Sequence, residues 1–333
     1  MRAMISRRGA ILLLVLALAL VVAACGGDEA TTTDPAAADT ASGPPADQIV
    51  KDSEAKMATV DSASFIADVA LKIEGDTAKM TDPTAKALLS DGVTLHAEGS
   101  SGNDPTAVNM TMSLGIAGQN LEFGMMSEGE KSWIEYQGTW YALDTKNSKA
   151  LDEQAATGAA PTEQLKSMGI DPASWGTEFE LVGTEDLNGV EVYHVKAAAD
   201  PQKLADSLLK AAEDPTLGDK LGASGSELGE LSEGLAQNKQ QVEELGKTLR
   251  AATVDYWIGV DDQYMYKAQF GASLDTSGQK DMEGVSAVSL QGTVSMSAFD
   301  EPVTVEAPKN AKSFDTFMNQ LFGGMMGEGG MTF

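Results

Sequence analysis

Two histidines and one cysteine hold most of the nucleophilic and acid–base chemistry this chain could offer. His96 and His194 each sit inside an alternating, strand-like stretch, with no carboxylate or cysteine at a spacing that marks a catalytic or metal motif. Metal-ligand signatures are missing: there is no Cys-x-x-Cys, no His-x-x-x-His and no helix–loop–helix calcium loop. Asp275, Asp281 and Glu283 crowd the stretch DTSGQKDMEG, which reads as a solvated loop between strands. The glycines of FGGMMGEGG have neither a strand before them nor a helix after them, so they form no phosphate cradle. No catalytic residue, metal or cofactor is expected.

Cys25 offers a different chemistry. Arg2, Arg7 and Arg8 precede an apolar run from Ile11 to Val22, well short of the ~20 residues a spanning helix needs. A positive start, a short apolar segment and the small residues Ala23 and Ala24 make residues 1–24 an export signal. Val22-Ala23-Ala24-Cys25-Gly26 resembles the bacterial lipobox, in which the thiol takes a diacylglyceryl group and the cysteine becomes the first residue. The alternative is an ordinary cleaved signal beside a chance cysteine. Each buried methylene contributes ~0.8 kcal/mol, so two acyl chains hold a protein on a membrane surface without spanning it. This places the chain on the outer face of the cytoplasmic membrane. With Cys25 acylated, no thiol is left for a disulfide, and the fold must rest on its own core.

The net charge of −27 becomes −30 once the three signal arginines are removed. Such an acidic surface argues against nucleic acid and against electrostatic docking on anionic lipid. Residues 25–46 are Ala, Thr, Asp, Gly and Pro with almost no large apolar side chain, the composition of a flexible tether. A coil of this length averages roughly 25 Å end to end and reaches about 70 Å when extended.

Folded sequence starts near Asp47. Ile49, Val50, Met57 and Val60 suit a short amphipathic helix. Strands follow, with Phe65, Ala67, Val69, Leu71 and Ile73 on one face of the first. After a small helical insert, PTAKALLSDG, come VTLHAEGS and then AVNMTMSLGI, which puts Val108, Met110, Met112, Leu114 and Ile116 on one face. QNLEFGMMSE continues with Leu121, Phe123 and Met125. SWIEYQGTWYALD reads as a hairpin whose Gln137-Gly138 turn brings Trp133 and Trp140 to the same side. These short connections predict an antiparallel meander. A second set of strands surrounds the Asn188-Gly189 and Asp261-Asp262 turns, and AVSLQGTVSMSAFD, with Val288, Leu290, Val294 and Met296 on one face, ends the sheet.

Between these strand pairs lies a helical insert over 201–250. In its 226–250 helix, Leu228, Leu231, Leu235, Val242, Leu245 and Leu249 form a narrow stripe that either packs on the sheet or self-associates. Residues 311–333 read as a C-terminal helix or flexible tail. The chain has 16 methionines, several of them on apolar strand faces. Their unbranched side chains suit surfaces that accept varied apolar shapes. Strand parity therefore nominates Leu71, Met110, Met112, Leu114, Leu121, Phe123, Met125, Val288, Leu290, Val294 and Met296 as the lining of either a filled core or an acyl-chain cavity.

Taken together, the lipobox, the tether, MATVDSASFIADVALKIEG, the GTWYALD hairpin, NGVEVYHVKAAAD and the closing FDEPVTVEAPKN resemble the actinobacterial LppX/LprG lipoproteins, relatives of the LolA- and LolB-like carriers. The resemblance spans residues 47–310. It implies an α+β fold of one domain, a curved antiparallel β half-barrel wrapped around helices. It also implies a non-enzymatic protein that binds a lipid or acylated glycolipid and carries or presents it in the envelope. The 201–250 insert is longer than the family usually carries. The competing expectation is an envelope protein with a filled core that docks on a protein partner.

Overall fold

The computed structural model describes residues 43–79, 83–103, 106–129, 131–143, 172–212, 248–277 and 284–317. Cys25, the tether, nearly all of the leucine stripe and residues 146–169, whose sequence reads as a polar, Ala-rich helical stretch, lie outside these residues.

Among the described residues the helices are α1 (Ala46–Met57), α2 (Pro83–Asp91) and α3 (Pro201–Ala212). Six strands come before residue 145: β1 (Ser62–Gly75), β2 (Val93–Asn103), β3 (Thr106–Ile116), β4 (Gln119–Glu128), β5 (Lys131–Tyr136) and β6 (Thr139–Ala142). Six more follow: β7 (Glu178–Leu187), β8 (Val190–Ala198), β9 (Leu249–Gly259), β10 (Met265–Asp275), β11 (Val285–Ser297) and β12 (Lys312–Ser313). They hydrogen-bond in the order β12-β6-β5-β4-β3-β2-β1-β11-β10-β9-β8-β7, an open sheet with helices, as the α+β class expected. The first six form the expected meander.

Two elements differ from the sequence reading. β11 does not end the sheet but runs between β1 and β10, so its apolar face is central. Leu249, read as the last residue of the leucine stripe, opens strand β9. The end of the chain adds a third finding: Lys312 and Ser313 pair in parallel with Tyr141 and Ala142 of β6.

The chain divides into two compact units. Unit 1 comprises Met1–Thr59, Val69–Val93 and Ala159–Val294. Its β7–β8 hairpin closes at Asn188-Gly189, where φ values of 56° and 89° suit Asn and Gly. On the core face, Val195 pairs with Tyr256 and Ala197 with Val254, while Ala268 and Phe270 continue the same rows from β10. All of these are buried. Gly292 of β11 lies beneath Phe270, because a Cβ there would fall 2.0 Å from the ring's Cζ. α1 carries an acidic residue, Asp47, in its first turn and Lys56 in its last, complementing the helix dipole. Its buried Ile49, Val50 and Ser53 share one side, and it lies against β7, β8 and β9. α3 is capped by Asp200, whose Oδ1 accepts from the backbone N–H of Gln202 at 2.8 Å and of Lys203 at 3.1 Å. Leu204 is wholly buried there, beside the 3₁₀ turn that holds Trp175.

Unit 2 comprises Val60–Asp68, Thr94–Gly158 and Ser295–Phe333. It contains the meander strands β3 to β6 and the returning segment 300–317.

Candidate functional site: an apolar sheet face

Two tight turns set the parity of unit 2. Ala117 and Gly118 take φ of 51° and 77°, and Gln137 and Gly138 take 49° and 75°, the left-handed pair that matches the twist of a two-residue hairpin. From the first turn, Leu114 pairs with Leu121, Met112 with Phe123 and Met110 with Met125. The row continues into β5, where Phe123 faces Tyr136 and Met125 faces Ile134, and then into β6, where Ile134 faces Tyr141. Because side chains alternate, Asn109, Thr111, Ser113 and Glu122 occupy the other face.

The apolar face is unevenly covered. Phe123 and Tyr136 rings lie 5.7 Å apart, and Phe317 packs on Tyr136 at 5.9 Å and on Tyr141 at 5.2 Å. Phe314 backs Phe317 at 5.7 Å. Tyr141 is fully buried, whereas Met110, Met112, Leu114, Leu121, Phe123 and Met125 are only half-buried. At one end of the face, the Ser132 hydroxyl is buried without a hydrogen-bond partner among the described residues. Thioethers and rings that keep exposed area can take up an apolar chain by adjusting rotamers, with ~25 cal/mol gained per Å² covered.

The structure thus gathers six of the nominated residues on one face of unit 2: Met110, Met112, Leu114, Leu121, Phe123 and Met125. Met296, also in unit 2, is half-buried on β11. Leu71, Val288 and Leu290 belong to unit 1 and are packed in its core, at 3%, 2% and 1% exposure. Val294 is half-buried at the end of that unit. Cys25 lies outside the described residues. Sequence reasoning overlooked Ile134, Tyr136 and Tyr141, although the SWIEY and TWYA alternation signals them. It also overlooked Phe314 and Phe317, which fall in the segment that reads as a C-terminal helix or flexible tail. Trp133 and Trp140 do share a side, the one opposite Phe123.

Each histidine meets two carboxylates, one of them distant in the linear sequence. His96 Nδ1 is 2.8 Å from Asp68 Oδ1, and its Nε2 is 3.9 Å from Glu98. His194 Nε2 is 2.9 Å from Asp255 Oδ1, and its Nδ1 is 3.8 Å from Glu185. The His194 ring stacks on Trp257 with centroids 4.6 Å apart, Lys267 Nζ lies 4.2 Å from the same indole, and Trp257 Nε1 donates to Glu185. Carboxylates thus face both nitrogens of each ring, an arrangement that ties strands together. Among the described residues no group of three or more His, Cys, Asp or Glu side chains could hold a metal ion. Asp281 and Glu283 lie outside those residues. Among the described residues, too, no helix is long and apolar enough to cross a membrane.

Asp275 is held well below the usual carboxylate range, first by the Ser277 hydroxyl and then by Arg250, whose Nη2 donates at 2.7 Å. Tyr266 is pushed up to about 12 by burial and by its hydrogen bond to Asp262 at 2.6 Å. Both groups belong to turns of unit 1.

No protein-family model and no curated protein matches the sequence. Among solved structures, the chain is similar to the lipoprotein LppX of Mycobacterium tuberculosis, at 16% identity over 78% of this chain and 97% of that one, with a TM-score of 0.34. It is also similar to LprF from Mycobacterium bovis, at 12% identity over 80% and 99% of the two chains, with a TM-score of 0.36. A third neighbour is a putative outer membrane lipoprotein-sorting protein domain from Vibrio parahaemolyticus, at 8% identity over 78% and 93%, with a TM-score of 0.20.

Proposed function

We propose that this protein is a membrane-anchored, non-enzymatic lipoprotein that binds a lipid or acylated glycolipid and carries or presents it at the outer face of the cytoplasmic membrane. The observation that carries this reading is the paired row Met110/Met125, Met112/Phe123 and Leu114/Leu121, apolar, adaptable and half-buried on one side of the sheet. An acyl chain laid along that row gains area-proportional stabilisation without requiring a polar contact. The lipobox cysteine and the tether supply the anchor and the reach. The resemblance to LppX/LprG-type lipoproteins agrees with this reading.

The test is mass spectrometry of organic extracts from protein purified out of its native envelope. A stoichiometric acylated species supports the reading, and repeated absence of any lipid overturns it. A second reading, docking on a protein partner, draws on the edge strand β7, where Phe179 is 38% and Val182 55% exposed. Cross-linking from those two positions in intact cells would identify such a partner.

A further inference from the structure

The segment after β11 forms a strap on unit 2 that is fixed at both ends. At its start, the Asp300 N–H donates to Ser62 O at 2.8 Å, Asp300 Oδ1 accepts from the Asp61 N–H at 2.8 Å, and Ser62 Oγ donates to Glu301 O at 2.6 Å. At its far end, Lys312 and Ser313 pair with β6. Between these ties the strap, the β5–β6 hairpin and β4 border an open cleft of about 340 Å³, lined by Met126, Thr139, Trp140, Glu306, Lys309 and Asn310. That volume lies at the small end of the ~300–1,000 Å³ range of small-molecule sites. Met126 and Trp140 belong to the face opposite the Met112–Phe123 row, so this cleft is separate from the apolar face.

Trp140 is seated deliberately by the sequence. Gly124 lies beneath it: a Cβ there would come within 3.1 Å of Trp140 Cη2 and 2.9 Å of Glu135 Cβ. A side chain there would crowd Glu135 and press the indole a few tenths of an ångström away from β4. One wall of the cleft is therefore an aromatic and thioether surface. The strap adds one carboxylate, one ammonium and one primary amide, and Thr139 adds a hydroxyl.

This set of groups discriminates among ligands. An acyl chain would strip water from Glu306 and Lys309 and give no hydrogen bond in return. A phosphate or nucleotide would meet one cation against one anion, within a chain of net charge −27. A neutral polyhydroxylated ring fits both walls. Its C–H face packs on the indole, and its hydroxyls both donate and accept towards Glu306, Asn310, Lys309 and Thr139. We propose that this cleft binds a neutral pyranose sugar, with Trp140 as the platform and Glu306 and Asn310 as the groups that orient it.

The experiment is saturation-transfer NMR on the full chain in a zwitterionic detergent, with methyl α-glucopyranoside, methyl α-mannopyranoside and N-acetylglucosamine as probes. Saturation of ring protons is expected for at least one sugar. Its apparent affinity should fall about fivefold or more in Trp140→Ala, the equivalent of losing one aromatic contact. Asn310→Ala and Glu306→Gln change exposed strap positions and should weaken the same sugar. Transfer to none of the three sugars, or equal transfer in wild type and the strap variants, overturns the proposal. Displacement by phosphatidylcholine vesicles doped with a monoglycosyl diacylglycerol would assign the sugar to a lipid headgroup, and lack of displacement to a soluble or wall glycan. Binding of acyl chains to the Met112–Phe123 face is read separately, so either result stands without the other.

Discussion

Met112 and Phe123 are direct cross-strand partners on the apolar face of unit 2, and Phe123 passes the contact on to Tyr136, 5.7 Å away between ring centroids. Phe123→Ala should cost about 2 kcal/mol in chemical denaturation, below the 3–5 kcal/mol of a fully buried ring because Phe123 is half-buried. Met112→Glu places a charge where an acyl chain would lie and should abolish binding of a fluorescent fatty acid. Thr111→Glu, one residue away on the polar face, should leave that binding intact. Equal losses in the two glutamate variants would remove the apolar face as the site.

Gly292 makes room for Phe270 in unit 1. In Gly292→Ala the new methyl would lie 2.0 Å from Cζ, so the ring must move within a packed core. A loss of about 1–3 kcal/mol is expected in urea unfolding, the usual cost of overpacking. Phe270→Leu in the same chain should recover part of it, because the smaller side chain vacates the collision.

Tyr266 titrates late in the folded state, with its pKa pushed up to about 12, against an ordinary value near 10. Below the unfolded value both states keep the proton, and the hydrogen bond to Asp262 is intact. As pH climbs from about 10 towards 12, only the unfolded chain releases the proton, so stability falls across that window. Tyr266→Phe should flatten this alkaline slope while leaving neutral-pH behaviour similar. Thermal unfolding midpoints measured against pH, with tyrosinate absorbance as the site readout, check it.

Ser132 is 3% exposed and its hydroxyl has no hydrogen-bond partner among the described residues. A buried donor left unpaired carries its desolvation cost, so Ser132→Ala should stabilise unit 2 by about 1 kcal/mol. The backbone carbonyl of Ser132, which accepts from the Leu143 N–H at 2.9 Å, is untouched by the change. A loss of stability would mean that the hydroxyl is satisfied in solution.

Cys25→Ser removes the thiol that the lipobox reading acylates. Metabolic labelling with a clickable fatty acid should disappear, and the protein should move from the membrane to the soluble fraction. Retention of label or of membrane partition would point to attachment elsewhere.

Much of the strand content is legible along the chain. In AVNMTMSLGI and QNLEFGMMSE the alternation names the apolar face, and Gln137-Gly138 and Asn188-Gly189 mark their hairpins. Local rules suffice there, since a two-residue turn fixes the register of its own strands. The Asp68–His96 contact, the His194–Asp255 contact and the Phe317 cover on Tyr136 and Tyr141 were not legible. Each joins segments whose separation in sequence carries no periodic signal.

The amino-acid sequence by itself determined the strand parity and therefore which residues share the Met112–Phe123 face, and it nominates an export signal, a lipobox and a tether. Tertiary structure alone decided that β11 enters between β1 and β10 and that Leu71, Val288 and Leu290 are core in unit 1. It also decided that residues 300–313 return as a strap beside Trp140. The reason is that period-two alternation tells which side of a strand is apolar, while the identity of the neighbouring strand is set by packing across long loops, where closing entropy changes only slowly with length.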